Sequence, residues 1–227
     1  MVLSVKKILS VCLVVLVVIS LSYCCVVPTS KRLNRVNFTV VIDAGHGGID
    51  GGAVGSVSGV SESSLNLKIA YNLKSILDNS GFTTILTRTD ENGLYGDTSK
   101  GFKKRDLEKR VEITKKANPD IFISVHLNTY QNNSRRGAQV FYKKDNENAK
   151  KLATNIQLYL NLLKESKRMY DCISGDYYLL NNIKTSAVIV ECGFLSNLEE
   201  ENLLLTNEYR EKLAKAIFNG IVAYLLN

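Results

Sequence analysis

Histidine is rare in this sequence, with two in 227 residues, His46 and His126. Neither belongs to an H-E-x-x-H helix, so the helix-borne zinc site of common metalloproteases is excluded. Cysteine is thin outside the N-terminus. Of the five cysteines, Cys12, Cys24 and Cys25 lie near the start, and the remaining pair, Cys172 and Cys192, cannot make a disulfide framework. Both are expected as buried free thiols. No basic cluster is interleaved with aromatics, so no nucleic acid is expected as a partner. The glycines Gly45, Gly47, Gly48, Gly51 and Gly52 have neither a Gly-Lys-Ser/Thr ending nor the dinucleotide spacing, which sets aside a phosphate cradle. No internal repeat or low-complexity tract is present.

What remains is ample for one globular domain. Hydrophobic residues make up 45% of the chain, enough to bury a core rather than leave it disordered. The formal net charge of +7 reads as a lysine-rich surface, with steering toward anionic polymers as the sharper alternative. Lys6 and Lys7 precede an apolar run from Ile8 to Val27. A basic start followed by roughly twenty apolar residues marks 1–27 as a signal sequence or membrane anchor. The basic end stays inside and the rest of the chain lies outside, so the membrane is an expected partner through this segment. Residues 28–36 read as a linker and 37–227 as the folded domain.

Within that domain strands and helices alternate. Phe38 to Asp43 is a β-branched run ended by glycines, a buried strand. Ser63 to Ser80 carries Leu65, Ile69, Leu73, Ile76 and Leu77 at helical spacing, with Gly81 as the stop. Phe82 to Thr87 is a second strand, and Arg88 to Gly101 a long polar loop of the kind that lines functional surfaces. Arg105 to Ala117 is an amphipathic helix halted by Asn118-Pro119. Further strands are expected at Asp120 to Val125, Gly137 to Tyr142, Tyr177 to Leu180 and Ser186 to Val190. Helices follow over Ala149 to Leu163, from Asn197 and from Glu208. The alternation predicts an α/β fold, a single domain with a mostly parallel six-stranded sheet and helices on both faces. Ligands of such sheets sit beyond the carboxyl ends of the strands, where Asp43, His126 and Glu191 fall.

Both histidines directly follow a buried strand, in Val-Val-Ile-Asp-Ala-Gly-His46-Gly-Gly and in Ile-Ser-Val-His126-Leu-Asn128. Imidazole is the commonest metal ligand, and catalytic zinc usually takes three protein ligands. Two histidines therefore need a third donor, and a carboxylate is the obvious one. Glu62 reads either as that carboxylate or as a first-turn glutamate favoured by the helix dipole, with Ser61 as cap. Glu191 ends the apolar run Ser186-Ala-Val-Ile-Val190, where a carboxylate loses solvation unless it is paired, protonated or metal-associated. A cysteine hydrolase with Cys192 as nucleophile and His126 as base is a rival. It is disfavoured because the position of Cys192, after a buried strand, points it into the core.

Ile42-Asp-Ala-Gly-His-Gly-Gly48, Glu62 before a helix, Ser124-Val-His-Leu-Asn128 and Glu191-Cys-Gly-Phe-Leu-Ser-Asn197 together resemble the zinc N-acetylmuramoyl-L-alanine amidases of the amidase-3 type. The resemblance spans about residues 38 to 226 and makes 37–227 an amidase-type catalytic domain. It implies Zn2+ as cofactor, His46, Glu62 and His126 as metal ligands, and Glu191 as the catalytic carboxylate. Peptidoglycan is the implied partner, cut between N-acetylmuramic acid and L-alanine. Ala44 and Cys192 depart from the usual residues, and neither is a ligand or the catalytic position. Arg110 and Asn128 are substrate-binding candidates. Arg110, in a helix rich in Lys and Arg, is otherwise a solvated charge or a brace for the site; Asn128 would orient its loop or bond the substrate. The sequence looks most similar to sporulation-type members, which implies a role in spore cortex modification, an extracytoplasmic location and an extracytoplasmic protein activator. A catalytically silent wall-binding module is the alternative.

Overall fold

The computed structural model describes residues 38–226. The expected signal or anchor at 1–27 and the linker at 28–36 lie outside the described residues. Among the described residues, no helix is long and apolar enough to cross a membrane.

Six strands form one sheet in the order β2-β1-β3-β6-β4-β5. They are β1 (Thr39–Ala44), β2 (Thr83–Leu86), β3 (Ile121–Asn128), β4 (Gln139–Tyr142), β5 (Ile173–Ser174) and β6 (Ser186–Phe194). β1 runs parallel to β2 and β3, and β3 parallel to β6. β4 lies antiparallel to β6 and carries β5 parallel to itself, so this edge runs against the other strands. Among the described residues six α-helices pack around the sheet: α1 (Glu62–Asn79), α2 (Phe102–Ala117), α3 (Glu147–Asn161), α4 (Tyr178–Asn182), α5 (Leu198–Leu205) and α6 (Asn207–Leu226).

The layering follows from strand alternation, because successive side chains point to opposite faces. Val40, Ile42, Ile121, Ile123, Val125, Val188 and Val190 pack with α1, α3 and α6 in the larger core. Val41, Phe122, Ala187 and Ile189 face the other way, onto Val111 of α2 and Leu179 and Leu180 of α4. Helix α1 shows why its sequence is helical: Leu65, Ile69, Leu73 and Leu77 recur every fourth residue and are at most 1% exposed. Truncating Ile69 to Ala in this stripe is expected to cost about 2–5 kcal/mol, read from the urea unfolding midpoint.

Two expectations are corrected. Tyr177 to Leu180 is not a strand; the segment forms the short helix α4. Leu179 and Leu180 are adjacent and both buried in the same cluster, whereas a strand would send one of them to the opposite face. The edge place is taken by β5, a two-residue strand too short to leave a sequence period. Strands β3 and β6 also run past Val125 and Val190, because their pairing continues from Val125–Val190 to His126–Glu191. His126 and Glu191 therefore lie inside strands rather than after them.

Candidate metal centre

The alternation that builds the core also delivers the polar site. Asp43 shares its face with Val41, His126 with Phe122, and Glu191 with Ala187 and Ile189, all on the side covered by α2 and α4. His126 and Glu191 are direct cross-strand partners. Cys192 falls on the opposite face, is 0% exposed and belongs to the larger core. Burial pushes its thiol well above the usual range. It cannot reach His126 from there, and the cysteine-hydrolase rival fails. Cys172 is half-buried with its Sγ 3.4 Å from Thr154 Oγ1, which corrects the expectation of a fully buried thiol.

His46 and Glu62 come from the chain between β1 and α1. Ser61 caps α1, its hydroxyl accepting from the Ser64 amide. Glu62, 3% exposed, is thus both a first-turn acid and part of the site, so the two sequence readings coexist. Its Oε1 stands 3.3 Å from His46 Nε2 and 2.9 Å from His126 Nδ1. It also accepts from the Leu127 amide at 3.1 Å and from Asn66 Nδ2 at 3.2 Å, while Oε2 accepts from the Ala53 amide at 2.8 Å. Donor atoms of His46, Glu62 and His126 all lie within 4.8 Å of one another. Two imidazoles and a carboxylate at this spacing form a site that can hold a divalent metal ion.

The charges agree with that reading. Burial alone would lower His46, but the Glu62 and Asp50 carboxylates outweigh it and raise the imidazole to about 9. Burial would raise Glu62, yet the two imidazoles hold its carboxyl far below the carboxylate range. Glu191 goes the other way. Burial, with the Glu62 charge adding to it, pushes Glu191 up to about 7 against the opposing pull of the imidazoles. The residue as a whole is half-buried, but its Oε2 is sealed from solvent and has no hydrogen-bond partner.

With His46 as a ligand, metal uptake would release its proton, because a ligating imidazole is neutral. Calorimetry in buffers of different ionisation heat at pH 7.5 should therefore find about one proton released per ion. The release should fade as pH rises through about 9, where His46 is already neutral.

Arg110 is 1% exposed, which corrects the reading of a solvated charge. Its guanidinium donates to Asp43, to Asp106 and to the carbonyls of Ala44 and His46, the last at 2.6 Å. Burial would raise Asp43, but Arg110 and the Ser124 and Thr87 hydroxyls keep its carboxyl below the usual range. The arrangement is a brace on the strand end that carries His46. Arg110→Ala should destabilise the protein by about 3–5 kcal/mol, since it strands a buried carboxylate; chemical denaturation checks this. Arg88 completes the brace by donating to the carbonyls of Ala44, Gly45, Ser63 and Asp90. Arg88 and Ser124 were not singled out from sequence, and Asp43 was placed at a strand's carboxyl end without a role. The signal was present in Asp43, an acid closing an apolar run, the same argument that marks Glu191. Asn128 ends β3, its Oδ1 accepting from the Thr129 amide at 2.8 Å, while its carbonyl accepts from Leu195. The loop from Arg88 to Gly101 packs on the His46 turn, with the Gly48 amide donating to Glu91 O at 2.7 Å and the Ile49 amide to Tyr95 Oη at 2.9 Å.

Gly45 shows how closely the backbone passes the site, for a Cβ there would run into the His126 ring. Gly45→Ala should displace that ring and lower the metal content of the purified protein. Beside both imidazoles lies a cavity of about 210 Å³ whose walls include Asp50, Lys103, Leu107 and Leu179.

Fold and site together define an α/β domain in which His46, Glu62 and His126, gathered beside the carboxyl ends of its central strands, could hold a metal ion. The chain belongs to the N-acetylmuramoyl-L-alanine amidase family (Amidase_3), which matches residues 40–223, and is an enzyme acting on peptidoglycan. It is 33% identical to the germination-specific N-acetylmuramoyl-L-alanine amidase of Bacillus subtilis (strain 168), over 82% of this chain and 78% of that protein. It is likewise 33% identical to N-acetylmuramoyl-L-alanine amidase AmiA of Escherichia coli (strain K12), over 82% of this chain and 75% of the relative. Among solved structures, the CwlD amidase from Clostridioides difficile, in complex with the GerS lipoprotein, superposes with a TM-score of 0.79 at 39% identity. That likeness covers 84% of this chain and 99% of the other.

Proposed function

We propose that this enzyme is a zinc-dependent hydrolase of the amide between the lactyl group of N-acetylmuramic acid and L-alanine. We further propose that it acts outside the membrane on spore cortex peptidoglycan. The observation that carries the chemistry is the convergence of His46, Glu62 and His126 within 4.8 Å, with the orphaned Glu191 Oε2 on the strand beside them. The donor set suits Zn2+, which favours imidazole and carboxylate ligands, and His46, Glu62 and His126 would hold it. When bound there, such an ion would supply Lewis acidity, polarising a carbonyl and lowering the pKa of water toward neutrality.

The protein's own groups do the rest. Glu191 accepts a proton from the attacking water as the oxygen bonds to the lactyl carbonyl carbon. It then delivers that proton to the alanine nitrogen as the C–N bond breaks, leaving a carboxylic acid on the sugar and a free amine on the peptide. An unpartnered carboxylate with a pKa near neutrality suits both halves of that exchange. Glu62 holds the two imidazoles in place, and Arg110 with Arg88 fixes the strand end from which His46 projects. Asn128, on the same face as His126, is the group we place against the substrate.

The cortex assignment is supported by the likeness to the germination-specific amidase, and it implies that stripped muramic acid goes on to form muramic lactam. A protein activator is supported by the solved relative found with a lipoprotein partner. The membrane attachment rests on the apolar run at 1–27. Metal analysis of the purified protein, coupled with mass spectrometry of digested peptidoglycan, tests the chemistry. Release of stems that persists after complete chelation would end the zinc reading. Muropeptide analysis of spores from a deletion strain tests the role, and unchanged lactam content would refute it.

A further inference from the structure

We propose that Asp50 is the positioning residue that selects the tautomer and bearing of His46, and that Lys103 holds Asp50 in that place. The inference rests on the metal reading given above and assigns two residues to it. The segment from His46 to Asp50 is a tight reversal. The Gly47 amide donates to Asp50 O at 2.9 Å, and the Asp50 amide returns a bond to Gly47 O at 3.2 Å. His46 itself has φ of +62°, a left-handed conformation that a residue with a Cβ adopts only when its surroundings impose it. Arg110 fixes the carbonyl of that residue, but a carbonyl contact leaves the ring free to turn about its side-chain bonds. Something else must aim the ring.

Asp50 meets that need. Its Oδ2 is 3.0 Å from His46 Nδ1, while Nε2 on the far side of the same ring faces Glu62. A carboxylate at Nδ1 keeps the proton on that nitrogen, leaves the Nε2 lone pair directed at the centre, and raises the basicity of the ring as a ligand. Asp50 is not itself a fourth ligand, for it sits behind the ring, and the cluster able to hold an ion contains only His46, Glu62 and His126 among the described residues. Its second oxygen is also occupied, with Oδ1 standing 3.0 Å from Lys103 Nζ. Lys103 belongs to the first turn of α2, so the chain Lys103–Asp50–His46 ties the ring to a helix rather than to a loop. All three residues line the cavity of about 210 Å³ beside the imidazoles.

The test uses the full-length protein, stripped of metal and titrated with Zn2+ against a chromophoric chelator. Asp50→Ala should weaken zinc binding by about 10–100-fold, the usual cost of losing the group behind a ligating histidine. Asp50→Asn should lose less, because its amide oxygen still accepts from Nδ1–H. The slowly exchanging His46 Nδ1–H resonance of the zinc-loaded protein should persist in Asp50→Asn and vanish in Asp50→Ala. Lys103→Met should weaken zinc binding by a smaller factor, and should cost nothing further in the Asp50→Ala background, since its effect passes through Asp50. Should Asp50→Ala fail to fold, as its thermal melt would reveal, Asp50→Asn and Lys103→Met decide. Zinc affinity within about twofold of the parent in Asp50→Ala, or an unaltered Nδ1–H resonance, overturns the proposal. A Lys103→Met effect that survives without Asp50 overturns the part given to Lys103. A parent protein that takes up no zinc would refute the metal reading instead, and this inference with it.

Discussion

Glu191→Gln should lower turnover by about 10²–10⁴-fold, the range typical of a lost general base, while zinc content stays at the parent level. The Glu191 Oε2 is out of solvent and bonds nothing. No structural hydrogen bond is therefore lost at that atom. The pH profile carries the sign of the argument. The base works only when ionised, so kcat/KM should rise with pH through the pKa of Glu191 and level off above it. In the metal-free protein that pKa is pushed up to about 7. A divalent cation alongside favours the ionised form, so the acid limb of the loaded enzyme should lie below about 7, and Glu191→Gln should abolish it. A stability effect of opposite sense follows from the same burial. A carboxyl whose folded pKa is raised costs nothing while protonated in both states, below its unfolded value of 4.5. The cost grows as pH rises from there through about 7 and is full only above it, where the carboxyl is ionised in both states. Glu191→Gln should thus raise the melting temperature of the metal-free protein at pH 8 and leave it unchanged near pH 4. A gain on the order of a few kcal/mol is the scale to expect. A variant with near-parent turnover would remove Glu191 from the reaction.

The parts of the fold legible in the sequence are those whose residues have one dominant partner. The α1 stripe at Leu65, Ile69, Leu73 and Leu77 and the buried runs of β1, β3 and β6 declare themselves by period, because burial is their chief requirement. The Tyr177 to Leu180 segment misled because two tyrosines and two leucines satisfy strand and helix alike over so short a span, and only the cluster around Phe122 decides between them. Of the site, His46, His126 and Glu191 were marked by rarity or by lying at the end of an apolar run. Glu62 was ambiguous for a physical reason: a helix first turn and a metal site both reward an acid at that position. The solvated-charge reading of Arg110 came from its neighbours in sequence, Lys104, Lys109 and Lys115, which are charges on solvated faces. Only the helix crossing over β1, which no local pattern reports, turns this one cation inward onto Asp43.

Glu62→Gln should abolish activity by removing the metal while leaving the domain folded. The substitution preserves shape, and an amide oxygen can still accept from the Ala53 or Leu127 amides. What it removes is the one negative charge shared between His46 at 3.3 Å and His126 at 2.9 Å. A carboxylate ligand neutralises half of a divalent charge in a site largely shut off from water, and the amide neutralises none of it. Zinc retained after dialysis should fall below detection in Glu62→Gln, and turnover with it, whereas Glu191→Gln should keep its zinc and lose only the rate. The metal-free protein supplies an independent reading. Glu62 is the chief partner that raises His46 to about 9, so in Glu62→Gln the His46 ring should titrate well below that value in an NMR pH series. The linkage sign then follows. In the parent, a raised imidazole stabilises the metal-free fold fully below its unfolded value of 6.5, and that stabilisation is lost as pH climbs through about 9. Glu62→Gln should flatten this part of the stability curve between pH 6.5 and pH 9. Zinc retained at parent stoichiometry together with an unmoved His46 titration would show that Glu62 is an N-terminal helix acid and nothing more.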